Sequence, residues 1–407
     1  MFEISIVLLG GFIIGKIFEK LKLPSLVGML LFGIIIGPSV LNIIKNESLF
    51  NSIAPTLRNI ALIVILLRAG LTIDLKDFKE IGRPAILMSF IPAIFEIVAT
   101  TIFAPLITNI SYLEAAILGT ILAPVSAAVV IPSMINIIKQ GYGDDKKIPQ
   151  IILAGASIDD IFALILFTTL INVSLGMNPD YIMFLKIPLA LVFYAILGFI
   201  VGLLINYLFN KVKIEMTFKI LILVTISMLL MVFEDYFTFL PKASLLSIII
   251  IGGILLLKNN EEAIKLEKSL NNIWKILQII LFVSIGIIVN LEYALSNNGL
   301  IALLIIAIGS IFRFIAVWLC LIKTNLNMKE RLFCGIGYLP KATVQAVMGA
   351  IPLSYGLKSG ELILTVSVIA ILVLAPIGSI LINSTYKKIL KNNKNNVFTW
   401  LLYFKNV

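Results

Sequence analysis

The sequence predicts an all-α polytopic membrane protein, and three observations predict it. Of 407 residues, 60% are apolar and 13% charged. The apolar residues gather into continuous stretches close to or beyond the ~18 that carry a helix across a bilayer. The basic residues lie between those stretches and favour alternate connections, as topology signals do. A strand-based barrel needs alternating segments of about ten residues, which the chain does not offer. The net charge of +10 sits in short loops and does not suggest nucleic acid.

Thirteen spans are expected, at about 3–19, 23–41, 56–73, 84–107, 113–138, 148–172, 181–209, 216–233, 240–257, 272–289, 299–322, 330–352 and 360–383. The first begins at Ile4 and runs into Lys16, Glu19, Lys20 and Lys22 with no A-x-A site, so no cleavable signal is read there. Spans one, two and seven carry Gly11/Gly15, Gly33/Gly37 and Gly198/Gly202, a spacing that only weakly suggests close helix contact. Span three carries Arg68, for which a local ion pair with Asp74 is expected. Glu234, Asp235 and the charges from Lys258 to Lys275 read as solvated loop. Counting residues at the margins of a span with the adjoining loop, 24 of the 32 Lys and Arg belong to the loops after odd-numbered spans or to the tail, 5 belong to the alternate loops, and Arg68, Arg313 and Lys341 lie deeper within spans. This bias predicts a cytoplasmic C-terminus and an external N-terminus. The basic, Asn-rich tail from Lys387 to Lys394 reads as a solvated end, near anionic headgroups.

An internal repeat runs at one offset. Leu23-Pro24 returns as Leu240-Pro241, and Leu67 to Leu75 returns loosely as Val283 to Leu291. Glu96 aligns with Arg313, and Pro124 with Pro340. The separation is 216 or 217 residues each time, equal to seven spans. Seven is odd, so the halves are expected in opposite orientation: two inverted six-helix repeats joined by span seven, with a site at mid-membrane where they meet.

Two spans are interrupted at corresponding places. Span five holds Pro124, Val125, Ser126 and Pro132, and span twelve holds Pro340, Lys341 and Thr343. Proline removes a backbone donor and clashes with the preceding turn. A plain kink explains either one alone. The pairing favours two broken helices that cross, because unwound backbone at that depth is tolerated only where it lines a cavity or is buried in protein. Free carbonyls at the crossing are expected to offer ligands to a cation.

The chemistry centres on Ser157, Asp159 and Asp160 within span six. A carboxylate at the bilayer centre costs roughly 2.5–3.5 kcal/mol even on a lenient scale. Adjacent helical residues point about 100° apart, so one aspartate is expected to face a watery cavity and the other to meet a partner. The alternative is the solvated end of a soluble core helix, against which the rest of the chain speaks. Glu96 and Arg313 are expected to form a charge pair across the repeat, either as a brace or with Arg313 competing for Asp159. Lys341 is expected at the break, neutralising carbonyls and tuning the aspartates rather than snorkelling. Two acids in one low-dielectric site cannot both ionise freely. A proton and a hard monovalent cation then compete for one carboxylate, and alternating access exchanges one for the other. There is no histidine, so proton chemistry falls to carboxylates or lysine. Cys320 and Cys334 make neither a disulfide framework nor a metal site. No GxxxxGK[ST] or GxGxxG occurs, so ion gradients would drive transport. An intramembrane aspartyl protease needs catalytic aspartates on separate helices, whereas these are adjacent.

Ala156-Ser157-Ile158-Asp159-Asp160, Pro340 to Ala346, Leu67 to Leu71 and Val129 to Met134 resemble the monovalent cation/proton antiporter superfamily. The likeness is nearest its NHA branch of sodium/proton antiporters. Leu23 to Gly28 and Gly37-Pro38 also fit, and the likeness covers about residues 20–383. It implies a cell-membrane homodimer with dimerisation halves at 1–80 and 213–292, mobile core halves at 81–175 and 293–385, a linker at 176–212 and a tail at 386–407. It implies that Asp160 is the main Na⁺ (or Li⁺) and proton carboxylate, with Asp159 beside it and Val125, Ser126 and Ser157 completing the site. The family's basic residue on the third-last helix falls on Arg313. Arginine beside a double aspartate mixes two family patterns, and guanidinium stays protonated. No cofactor beyond the transported ions is implied. The alternatives are a K⁺/H⁺ antiporter or a sodium-coupled solute symporter of the same fold.

Overall fold

A computed structural model describes residues 2–45, 49–72, 82–175, 181–236, 240 and 243–392, with the backbone alone at 49, 51, 127, 157, 158, 161, 181–188 and 235. Asp74, Pro241 and the tail beyond 392 lie outside the described residues. Apart from one antiparallel bridge between Tyr142 and Asn392, every regular element described is helical.

The helices are α1 (Phe2–Lys20), α2 (Ser25–Ile36), α3 (Leu49–Thr72), α4 (Arg83–Ile107), α5 (Tyr112–Leu122), α6 (Ala127–Lys139), α7 (Ile148–Ser174), α8 (Tyr181–Lys211) and α9 (Met216–Phe233). After a 3₁₀ turn, Glu234–Tyr236, come α10 (Ser244–Lys258), α11 (Asn260–Ile287), α12 (Leu291–Leu295), α13 (Asn297–Cys320), α14 (Met328–Gly337), α15 (Thr343–Gly349), α16 (Ile351–Ser354) and α17 (Gly360–Ile389). Among the described residues, seven helices are long and apolar enough to cross a membrane, with shorter apolar helices between them. Each of the thirteen expected spans is a helix, or a broken one at spans five and twelve.

Starts follow local chemistry. Ser111 Oγ accepts the Glu114 N–H at 3.2 Å and opens α5. Asn327 Oδ1 accepts from Glu330 N at 2.9 Å while Glu330 Oε2 accepts from Asn327 N at 2.7 Å, a capping box that opens α14. The charges after Lys258 are not loop. Asn259 Oδ1 accepts the Glu262 N–H at 3.2 Å, and Ala263, Leu266 and Leu270 place a fully buried stripe at three- and four-residue spacing. Local capping and one apolar face therefore extend α11 well before the expected span. Glu234 is likewise tied in, its Oε2 accepting the Ser244 N–H at 2.9 Å.

The chain divides into two compact units. One comprises Ser52–Ile73 and Leu164–Leu281. Within it α8 packs along α10, and α3 meets α10 where Gly70 and Gly252 face one another. A Cβ on Gly252 would lie 2.7 Å from the Leu67 carbonyl oxygen and 2.9 Å from Leu71 N. Arg68 reaches α11 here, its Nη2 lying 3.1 Å from Glu267 Oε1; the charge expected to find a local partner pairs with a distant helix instead.

The other unit comprises Met1–Asn51, Asp74–Ala163 and Phe282–Val407. Gly33 of α2 and Gly286 of α11 make the same kind of contact: a Cβ on Gly286 would lie 2.8 Å from Ile34 N and 2.9 Å from Gly33 Cα. Backbone-to-backbone approach of this sort admits only glycine. The same unit packs α4 along α13 and against α5, and runs α17 beside α13, α14 and α15. The two breaks lie in this packing. α5 stops at Leu122 and α6 starts at Ala127; α14 stops at Gly337 and α15 starts at Thr343. They touch, because the Ser126 N–H donates to Pro340 O at 2.8 Å. Pro124 and Pro340 fall in the breaks. Pro132, grouped with the break from sequence, lies inside α6, which continues through it.

Candidate functional site

Five ionisable side chains converge on the crossing, all within one unit. Glu96 comes from α4, Asp159 and Asp160 from α7, Arg313 from α13 and Lys341 from the second break. Glu96, Asp159, Arg313 and Lys341 are each at most 1% exposed. Charges so deep persist only if paired. Arg313 Nη1 lies 2.7 Å from Glu96 Oε2 and also donates to Ala123 O, while its Nη2 donates to Asp159 Oδ2. The guanidinium therefore pairs with Glu96 and with Asp159 together. Its planar fork reaches both acids at once, which an ammonium cannot do. Lys341 Nζ reaches Glu96 Oε2 at 2.7 Å, Leu122 O at 2.5 Å and Ala123 O at 3.3 Å.

The end of α5 decides what a cation can find here. Its last carbonyls have no helical partner. Lys341 and Arg313 take Leu122 and Ala123. Gln345 Nε2 takes Ile121 O at 3.0 Å and Pro124 O at 2.9 Å. The carbonyls expected to be free for a cation are thus filled by side chains. What remains open is different. Asp160 is half-buried and its Oδ1 has no hydrogen-bond partner, in the electrostatic field of Asp159, Arg313 and Lys341. Ser126 Oγ and Thr343 Oγ1 are also buried without partners. Asp159, by contrast, is fully held: the Val125 N–H donates to its Oδ1 at 3.1 Å and Arg313 holds Oδ2. The side chain of Ser157 lies outside the described residues.

A second layer supports Arg313. Its guanidinium lies 5.3 Å from the centre of the Tyr338 ring. Tyr338 Oη donates to Met88 O at 3.1 Å. That carbonyl is vacant because residue 92, four positions on in α4, is proline and has no N–H to give it. Gly155, one turn before Asp159, leaves the space that the Tyr338 hydroxyl occupies. Gln345, Tyr338 and Gly155 were not read from the sequence as site residues. Pro92 signals an orphaned carbonyl in α4, but nothing local to it names the donor.

The arrangement has three carboxyl groups against two cations, so full ionisation leaves one negative charge. A buried site with that balance favours one bound monovalent cation or one proton. The family profile described as "Sodium/hydrogen exchanger, transmembrane" matches residues 4–388. Sodium/hydrogen exchanger 9B2 of Homo sapiens is 30% identical over 397 residues, covering 94% of this chain and 74% of the relative. Sodium/hydrogen exchanger 9B1 of Macaca fascicularis is 29% identical, covering 97% and 79%. In fold, the chain is similar to the sodium proton antiporter MjNhaP1 from Methanocaldococcus jannaschii at pH 8, with a TM-score of 0.79 at 17% identity over 95% of this chain and 96% of that one. With nearly its whole length matched, this chain belongs to the sodium/hydrogen exchanger family.

Proposed function

We propose that Asp160 is the carboxylate at which sodium and protons compete. The protein is a multi-pass membrane transporter of the sodium/hydrogen exchanger family and exchanges Na⁺ for H⁺; potassium exchange and solute symport, also open from sequence, are not favoured. One observation carries the site assignment. Of the adjacent aspartates, Asp159 has both oxygens held by Arg313 and Val125, while Asp160 keeps a buried oxygen with no partner. A desolvated oxygen without a donor is where a proton or a hard cation gains most. Ser126 Oγ, also unpartnered, is the neighbouring neutral ligand we assign, and Thr343 Oγ1 stands in the matching place on the other broken helix. Arg313 and Lys341 stay charged partners of Glu96 and set the balance at one surplus negative charge. On that balance each turnover moves one Na⁺ against one H⁺ and no net charge.

The wider organisation is part of the same reading. The repeat offset and the two glycine crossings support inverted halves. Likeness to cation/proton antiporters supports a homodimer in the cell membrane, C-terminus inside, with 81–175 and 293–385 as the transporting core and 1–80 and 213–292 as the dimerisation part. That α4–α6 and α13–α17 share one compact unit supports the core assignment.

Proteoliposomes with imposed Na⁺, Li⁺ or K⁺ gradients test it. Asp160→Asn should abolish sodium-driven proton movement, and clamping the voltage at zero should leave the wild-type rate unchanged. Normal exchange by Asp160→Asn sinks the site assignment; a voltage-dependent rate sinks the one-for-one ratio.

A further inference from the structure

Gln345 is 1% exposed, and every hydrogen-bonding group of its amide is in use. Oε1 accepts the Ala342 N–H at 2.7 Å, at the start of α15. Nε2 donates to Ile121 O at 3.0 Å and Pro124 O at 2.9 Å, at the end of α5, with Leu122 O at the margin of reach, 3.5 Å. One side chain thus ties the end of the first broken helix to the start of the other. Among side chains of this length, only a neutral amide supplies two donors and an acceptor together.

The contact to Pro124 has a consequence across the chain. The peptide joining Pro124 to Val125 is planar and trans, so its C=O and N–H point in opposite directions. The C=O faces Gln345. The N–H on the other edge donates to Asp159 Oδ1 at 3.1 Å. Turning that peptide to suit one partner turns it away from the other. We propose that Gln345 is a positioning residue for ion exchange: it holds the Pro124–Val125 peptide at the angle that delivers its N–H to Asp159, and so keeps Asp159 fixed between Val125 and Arg313 while the exchange runs at Asp160.

This role rests on the assignment of the aspartates above. Methionine at 345 keeps the length and lacks all three hydrogen bonds. With the peptide released, Asp159 loses the Val125 donor, and the ground beside Asp160 is no longer held ready for the cation. Gln345→Met should therefore raise the Na⁺ concentration for half-maximal Na⁺/H⁺ exchange in proteoliposomes roughly tenfold, with the maximal rate at saturating Na⁺ kept within about twofold. A role confined to packing predicts instead a lower maximal rate with the half-saturating Na⁺ concentration unmoved, and that result overturns the proposal.

Gln345→Glu is the second variant, because it keeps the Ala342 contact and the volume. Its carboxyl can donate to Pro124 only while protonated, so its exchange should fall away on the alkaline side where the wild type stays active. A wild-type profile in Gln345→Glu, or failure of both variants to yield folded protein by size-exclusion chromatography, also overturns the proposal. Its failure is separable from that of the site itself, which Asp160→Asn tests alone.

Discussion

Gly155→Ala places one methyl group where the molecule has no room. A Cβ there would overlap the Tyr338 hydroxyl and lie 2.8 Å from Met88 Cβ and 3.2 Å from Met88 C. In an open helix the change would stabilise by up to about 1 kcal/mol, since alanine is the better helix former. Here overpacking costs about 1–3 kcal/mol. The methyl group also pushes Tyr338 Oη off Met88 O, leaving a buried carbonyl unpaired at a further ~1–3 kcal/mol. The net expectation is a loss of about 2–4 kcal/mol. Tyr338→Phe alone forfeits only the hydrogen bond, about 1–3 kcal/mol. The two changes act on one contact, so they should not add. In Gly155→Ala/Tyr338→Phe the missing hydroxyl makes space for the methyl, and the double variant should be more stable than Gly155→Ala. The assay is thermal unfolding of the four detergent-purified proteins. The expected order is wild type, then Tyr338→Phe, then the double variant, with Gly155→Ala lowest. A double variant whose loss equals the sum of the singles, within about 0.5 kcal/mol, refutes the account of Gly155 as the notch for Tyr338.

Two further predictions concern charge balance and backbone approach. Lys341→Met leaves Glu96 with one cation where it had two and uncovers Leu122 O. A broken buried pair costs about 3–5 kcal/mol, and Lys341→Met/Glu96→Gln, which removes both members, should recover part of it in the same melts; a double variant below the single would show that charge is not what links them. Gly286→Ala sets a methyl 2.8–2.9 Å from the backbone of Gly33 and Ile34. Backbone cannot swing aside, so the yield of monodisperse protein on size-exclusion chromatography should fall severalfold, and an unchanged yield would contradict the closeness of that crossing.

Much of the site could be seen in the residues before any coordinates, because oil makes charge conspicuous. Glu96, Asp159, Asp160, Arg313 and Lys341 stand out within apolar spans, and the recurrence of Pro124 as Pro340 marks both breaks. Arg68 misled. Its sequence neighbourhood offers Asp74, but α11 brings Glu267 to it, and proximity along a chain says little about proximity across helices. The carbonyls of α5 misled in a similar way: the break exposes them, yet which side chain fills them depends on a residue over two hundred positions away.

By itself the sequence determined that this chain is made of membrane helices, roughly where the spans lie, and which of them break. Those properties follow from local terms: apolar length against bilayer thickness, proline without an N–H, and the cost of a carboxylate in oil. Only the tertiary structure decided which aspartate is fully held and which keeps an open oxygen, that Tyr338 serves the carbonyl Pro92 leaves vacant, and that Gln345 closes the end of α5. Hydrogen bonds reach about 3 Å and depend on direction. Partners distant in sequence are therefore chosen by how helices pack, which no stretch of the chain encodes alone.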